Sequence, residues 1–170
     1  MTVKRYLEEF AAGQTWGTST MRVDAGSIMR FAAEFDPQPF HLDEAAAAES
    51  PFHGLAASGW HTAAMTQRLL SEGEVIPAGG IVGLGFEELR WPKPVRPEDE
   101  LRVEGEVLDV RPSRSRPGYG MVKVRATTLN QLGEAVQVLV ATLFVPSCRA
   151  SESEFGREQS NSQSPLRRKS

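Results

Sequence analysis

The spacing of apolar positions along the chain changes period twice. Residues 15–23 (TWGTSTMRV) are rich in Thr, Trp and Val and predict a strand. Asp24 then stands where a helix N-cap would, ahead of Ile28, Met29, Phe31 and Ala32 at helical spacing, so a short helix is expected to run to about Phe35. Pro37 and Pro39 forbid its continuation, because each lacks an amide hydrogen and each pushes the residue before it out of the helical region. The chain should leave the helix into an extended, stiff loop. Residues 42–50, a run of alanines led by Asp43 and Glu44, predict a second short helix. Residues 59–70 (GWHTAAMTQRLL) predict a longer one, whose mixed small and large apolar groups suit close packing on a sheet.

From Ile81 onward the pattern is almost all β. Residues 81–95, 100–112, 120–131 and 135–145 each carry β-branched or alternating apolar residues, separated by breaks at 96–99, 113–120 and 132–134. The segment NQLGE (130–134) signals a hairpin in which Gly133 takes the left-handed position. Strand, helices, then four long strands predict an α+β fold, an antiparallel sheet curled around one central helix. An exposed edge strand of that sheet invites pairing with a second copy.

Length and composition narrow the picture further. The 170 residues suffice for one domain, expected over 1–146. From Ser147 onward the chain holds a single Phe and a single Leu among many Ser, Gln and Arg residues, and 147–170 reads as a disordered tail. Its terminal Arg167, Arg168 and Lys169 read as a solvated end. With 19 basic and 22 acidic residues, a net charge of −3 and a pI near 5.7, there is no electrostatic case for nucleic-acid binding. The lone Cys148 forms no intramolecular disulfide, which suits a reducing compartment, the cytoplasm by default. Residues 1–10 lack the apolar run of a signal peptide, and no stretch is long and apolar enough to span a bilayer, so a soluble protein with no membrane partner is expected.

The densest polar information lies in FDPQPFHLD, residues 35–43. Asp36 and His41, five apart on a segment stiffened by Pro37 and Pro39, can face one small volume. A carboxylate and an imidazole together can polarise one water, one group taking its proton while the other gives a proton to carbon, as addition of water across a double bond requires. Gln38 between them can hold the water or fix the ring tautomer. The same residues are equally suited to turn and helix capping. Ser58 and Gly59 open the long helix, where unpaired amides at the positive end of its dipole can stabilise a developing oxyanion. An ordinary Ser N-cap accounts for the pair as well. Gln38, Pro39 and Ser58 are the residues expected to border a substrate.

The three histidines, His41, His53 and His61, lie within one stretch, but their spacings of 12 and 8 match no helical metal-ligand pair, and no metal is expected. His61 is assigned to packing on the central helix and His53 to the loop before it. The glycines of IVGLGFEEL do not open a helix and so do not form a phosphate-binding turn; sheet curvature or close approach to the helix explains them. Arg90, Lys93, Arg96 and Arg102 suit either an anionic ligand tail or exposed strand faces.

Between about Trp16 and Val145 the sequence resembles the MaoC-like dehydratases, or R-specific enoyl-CoA hydratases, of the hotdog fold. The resemblance is carried by AEFDPQPFHLDE, ASGWHT, GFEELRWPKPVRPEDEL and NQLGEAV. It implies a long helix wrapped by an antiparallel sheet, usually dimeric, acting on acyl thioesters of coenzyme A or acyl carrier protein. It also implies that Asp36 and His41 activate the water and handle the α-proton, with the Gly59 amide near the thioester oxygen. The chain departs from the well-characterised hydratases at Gln38, where they have Asn, and at Ser58-Gly59, where they have His-Gly.

The leading expectation is therefore reversible hydration of a trans-2-enoyl thioester to the R-3-hydroxyacyl thioester, with coenzyme A entering as substrate and no other cofactor. A hotdog thioesterase is the first alternative, although residues 59–68 of the central helix carry no catalytic Asp or Glu. The second is a non-catalytic acyl-CoA-binding subunit.

Overall fold

The computed structural model describes residues 3–148. Its main sheet is built from β2 (Thr15–Gly17), β5 (Gly83–Arg90), β6 (Glu100–Pro112), β7 (Tyr119–Leu129) and β8 (Ala135–Pro146) in the order β2-β6-β7-β8-β5, antiparallel at every step. The short β3 (Met21–Arg22) adds a second pairing to β6, while β1 (Val3–Arg5) and β4 (Val75–Pro77) form a separate parallel pair. Along β6 and β7 buried residues alternate with half-buried and exposed ones, which assigns Leu101, Val103, Val122, Val124 and Ala126 to the interior. β8 is buried at every position from Val136 to Ala141, as expected of a strand in the middle of a sheet.

The inner face of the sheet closes on α4 (Gly59–Ser71). Met65 and Leu69 join Val103, Ala126, Leu139 and Ala141 in one apolar cluster, and a buried Thr66–Thr128 hydrogen bond of 2.6 Å ties helix to sheet. The antiparallel sheet around a single central helix is the α+β hotdog architecture expected from the sequence. Among the described residues no helix is long and apolar enough to cross a membrane.

Several local expectations hold with their chemistry. α1 (Ala25–Phe35) is capped by Asp24, whose carboxylate accepts from the Ser27 amide at 2.8 Å. The helix expected over 42–50 is the shorter α3 (Glu44–Ala48), with Asp43 as its N-cap, its carboxylate accepting the Ala46 amide, rather than in its first turn. The β7–β8 hairpin turns on Gly133 at φ +74°, with Asn130 Oδ1 accepting the amides of Leu132 and Glu134.

Other expectations need correction. The strand expected over 15–23 is two short strands. Between them the Thr18 hydroxyl accepts the Val103 amide in place of a ladder carbonyl, and the pairing breaks. The segment after α1 is not wholly extended: Pro39–Leu42 is a short helical turn, α2. Proline ends a helix that precedes it but is favoured at the first position of a new one, where its missing N–H has no partner to lose. The strand expected over 81–95 stops at Arg90, since Pro92 and Pro94 remove the ladder donors beyond it. A Cβ built on Gly83 or Gly85 meets nothing within 4 Å, so neither admits a close helix; Gly85, at φ +147°, lies at a register shift against β8, the curvature alternative.

Ser147 and Cys148 both bond to the Glu8 carboxylate, the first through its hydroxyl and the second through its amide, and the Ser147 hydrogen bond is the larger cause lowering the Glu8 pKa to about 2. The remainder of the predicted tail, 149–170, lies outside the described residues.

β5 leaves an edge of the sheet open, and its outer residues are uncovered, Phe86 being 62% exposed.

Candidate active site

Three backbone turns bring the polar residues of the site together. α1 ends at Asp36, whose amide bonds back to the Ala32 carbonyl. The Gln38 amide then bonds to the Asp36 carbonyl at 2.7 Å, and the His41 amide to the Gln38 carbonyl at 2.9 Å, winding the chain into α2. His41 is thereby carried inward, to 5% exposure, while the Asp36 side chain keeps 23% of its surface open.

The imidazole of His41 is fixed from two directions. Phe40 meets it edge-on at 4.6 Å and Phe52 lies 5.9 Å away, while Nδ1 donates to the Ala56 carbonyl at 2.7 Å. Because a carbonyl only accepts, Nδ1 carries the hydrogen and the neutral ring presents a bare Nε2. That atom faces Asp36 Oδ2 at 3.7 Å, too long for a direct hydrogen bond. Asp36 Oδ2 in turn accepts from the Ser58 hydroxyl at 2.6 Å, and Ser58 Oγ itself accepts the Trp60 amide as N-cap of α4.

Asp36, His41 and Ser58 are therefore gathered at one point beside the N-terminus of α4. Gln38 and Pro39, expected to border a substrate, are exposed and stand as the N-cap and first residue of α2. Of the two uses open to the Gln38 amide, holding the water or fixing the ring tautomer, the second is served by the Ala56 carbonyl. Gly59 admits a close approach, but by a protein side chain: a Cβ there would stand 2.9 Å from the Trp91 indole.

Of the remaining histidines, His61 is apart from this pair, while His53 lines the pocket beside His41. His61 stacks on Phe31 at 4.6 Å in the groove between α1 and α4; burial lowers its pKa, and its Nδ1 has no hydrogen-bond partner among the described residues. His53 is exposed at φ +53° on the loop before α4. Among the described residues no three His, Cys, Asp or Glu side chains are grouped to hold a metal ion.

A pocket of about 550 Å³ opens beside His41 and Gly59, walled by Phe52, Thr62, Trp91 and Val95. Of the four basic residues considered from sequence, Arg90, Lys93 and Arg102 pair with Glu88, Glu134 and Glu104 at the surface. Arg96 instead donates to the carbonyls of Phe52, Gly54 and Leu55, clamping the loop that leads to Ala56. Neither the Ala56 carbonyl nor this clamp was legible from spacing. A carbonyl carries no residue signature, and Arg96 lies more than 40 positions from the loop it holds.

The chain is similar over most of its length to several known proteins. The crystal structure of a MaoC-like dehydratase from Rhodospirillum rubrum superposes with a TM-score of 0.81 at 52% identity, over 84% of this chain and 97% of that one. An uncharacterised Bacillus subtilis protein, YdeM, is 40% identical over 125 residues, 74% of this chain and 87% of its own length. The 3-hydroxybutyryl-CoA dehydratase of Methylorubrum extorquens is 31% identical over 112 residues, 65% of this chain and 69% of its own. The family model described as the MaoC like domain matches residues 9–130, which include Asp36, His41, Ser58 and Gly59, and the chain belongs to that family of hydratases and dehydratases.

Proposed function

We propose that the protein adds water reversibly to a trans-2-enoyl thioester of coenzyme A, giving the R-3-hydroxyacyl thioester, with Asp36 and His41 as the acid–base pair and no metal or redox cofactor. The observation that carries this is the His41–Ala56 hydrogen bond, which turns the Nε2 lone pair toward Asp36 Oδ2 at 3.7 Å. Two acceptors at that separation can both reach one water oxygen at about 2.8 Å. As the water oxygen bonds to C3 of the enoyl group, the water loses a proton to the pair and the double-bond electrons move through C2 onto the thioester oxygen. A proton then passes from the pair to C2, and the pair ends in the state in which it began. The transient charge on the thioester oxygen is suited to the Gly59 amide, at the positive end of α4. The likeness to a 3-hydroxybutyryl-CoA dehydratase supports coenzyme A as the carrier. The open edge of β5, with Leu84 and Phe86 uncovered, supports a homodimer formed by strand pairing.

The test is loss of enoyl-thioester absorbance with crotonyl-CoA. Asp36→Asn and His41→Ala should each lower kcat by roughly 10²- to 10⁴-fold with unchanged circular dichroism. Near-normal rates in both variants would overturn the assignment.

A further inference from the structure

Trp91 occupies an unusual position for a residue at the end of an edge strand. β5 ends at Arg90, opposite Val138 of β8, and the next residue folds its indole across the first turn of α4. The ring lies so close to Gly59 that a single added methyl group would sit 2.9 Å from two of its atoms. Trp60 meets it from the outer side in an edge-to-face contact of 5.6 Å. Trp91 itself remains 38% exposed and walls the pocket beside His41.

A partly exposed indole would ordinarily sample several orientations. This one is tethered: its Nε1 donates to Gln137 Oε1 at 2.8 Å. Gln137 is completely buried on β8, among the apolar residues Val136 and Val138, and its Nε2 has no partner among the described residues. Burying an amide with half its hydrogen-bonding capacity unmet is costly. Among the described residues the one polar contact of the Gln137 side chain is with Trp91, so holding that ring is the role its placement fits.

We propose that Trp91 is a positioning residue for the hydration site, anchored by Gln137, and that it sets the position from which the Gly59 amide meets the thioester oxygen. The inference rests on the function proposed above. Ser58 is already held from the other side, through its bond to Asp36. The Ser58-Gly59 step is thus gripped between the acid–base pair and the indole. An oxyanion donor polarises the ground-state carbonyl weakly and stabilises the charge that develops in the transition state far more, so displacing it lowers kcat more than it raises KM.

The experiment combines crotonyl-CoA kinetics with infrared spectra of bound butyryl-CoA carrying a ¹³C thioester carbonyl, a ligand that cannot be hydrated. Trp91→Phe keeps the ring and loses the tether; Gln137→Met loses the anchor. Each should lower kcat about tenfold with KM within about twofold, and each should return the bound carbonyl band toward its frequency in solution. A role confined to stability would lower the melting temperature while leaving kcat per folded molecule and the band unchanged, which overturns the proposal. Should either single variant fail to fold, Trp91→Phe/Gln137→Met removes both polar partners together and is judged by the same two readouts. If the wild-type protein shifts the carbonyl band but does not hydrate crotonyl-CoA, the hydratase assignment falls, while the band in the variants still decides the role of Trp91. If the wild-type protein leaves the band where it stands in solution, Gly59 does not meet the thioester and the proposal falls.

Discussion

Ser58 Oγ donates to Asp36 Oδ2 across 2.6 Å, joining the first cap of the central helix to the carboxylate at the end of α1. One hydroxyl therefore performs two tasks, since the same oxygen accepts the Trp60 amide. Ser58 is almost fully buried, so no bulk water replaces it if it is removed.

Ser58→Ala should expose the two tasks separately. Loss of the N-cap should destabilise the fold by about 1 kcal/mol in urea titration. Loss of the bond to Asp36 frees the carboxylate to rotate away from His41, and kcat for crotonyl-CoA should fall by about tenfold or more, the size of one charge-assisted hydrogen bond. Ser58→Thr keeps the hydroxyl and should recover most of both. Wild-type turnover in Ser58→Ala would mean that the bond caps the helix and does nothing for Asp36.

Much of this arrangement was legible in the sequence because it depends on residue types that act locally. Asp24 and Ser58 are N-caps wherever a helix follows them, and the proline-spaced Asp36 and His41 announce themselves within six residues. The period-2 alternation of β6 and β7 gave their extents to within one or two residues. What escaped has long-range causes. The β1–β4 pair joins residues more than 70 apart, and three-residue strands carry too little pattern to stand out. The Ser58 hydroxyl was visible as a helix cap, but its second partner lies 22 residues away and depends on how α1 docks. Trp91 and Gln137, 46 positions apart, meet only because β5 and β8 are neighbours in the sheet.

The clamp made by Arg96 leads to a second prediction. Its guanidinium donates to three carbonyls of residues 52–55, immediately before the Ala56 carbonyl that fixes His41. A planar fork spreads its donors over separate nitrogens and reaches all three carbonyls; the three donors of lysine radiate from one nitrogen and cannot span them. Arg96→Lys should therefore raise amide exchange across residues 52–57 and lower stability by about 2 kcal/mol. Turnover should fall with it, because a loosened Ala56 no longer dictates the ring tautomer. Exchange that rises elsewhere but not in this loop would show that the clamp is not what orders it.

His61 gives the fold a defined pH dependence. Burial lowers its pKa from the ordinary 6.5, so the folded protein keeps the ring neutral at pH values where the unfolded chain protonates it. The unfolded state then binds more protons, and stability must rise with pH through that window. Read downward, stability begins to fall as the pH drops below about 6.5, with a limiting slope of about 1.4 kcal/mol per pH unit for one proton. The groove around the ring also holds Arg22, Asp24, Arg30, Arg68 and Glu72, whose contributions are shared by any variant at position 61. His61→Leu keeps an apolar group against Phe31 and removes the titration, so the difference between variant and wild type isolates the histidine. Urea midpoints measured from pH 8 to pH 5 should converge at the alkaline end and separate in favour of His61→Leu below pH 6.5. Parallel curves over the whole range would show that the buried imidazole does not couple to folding.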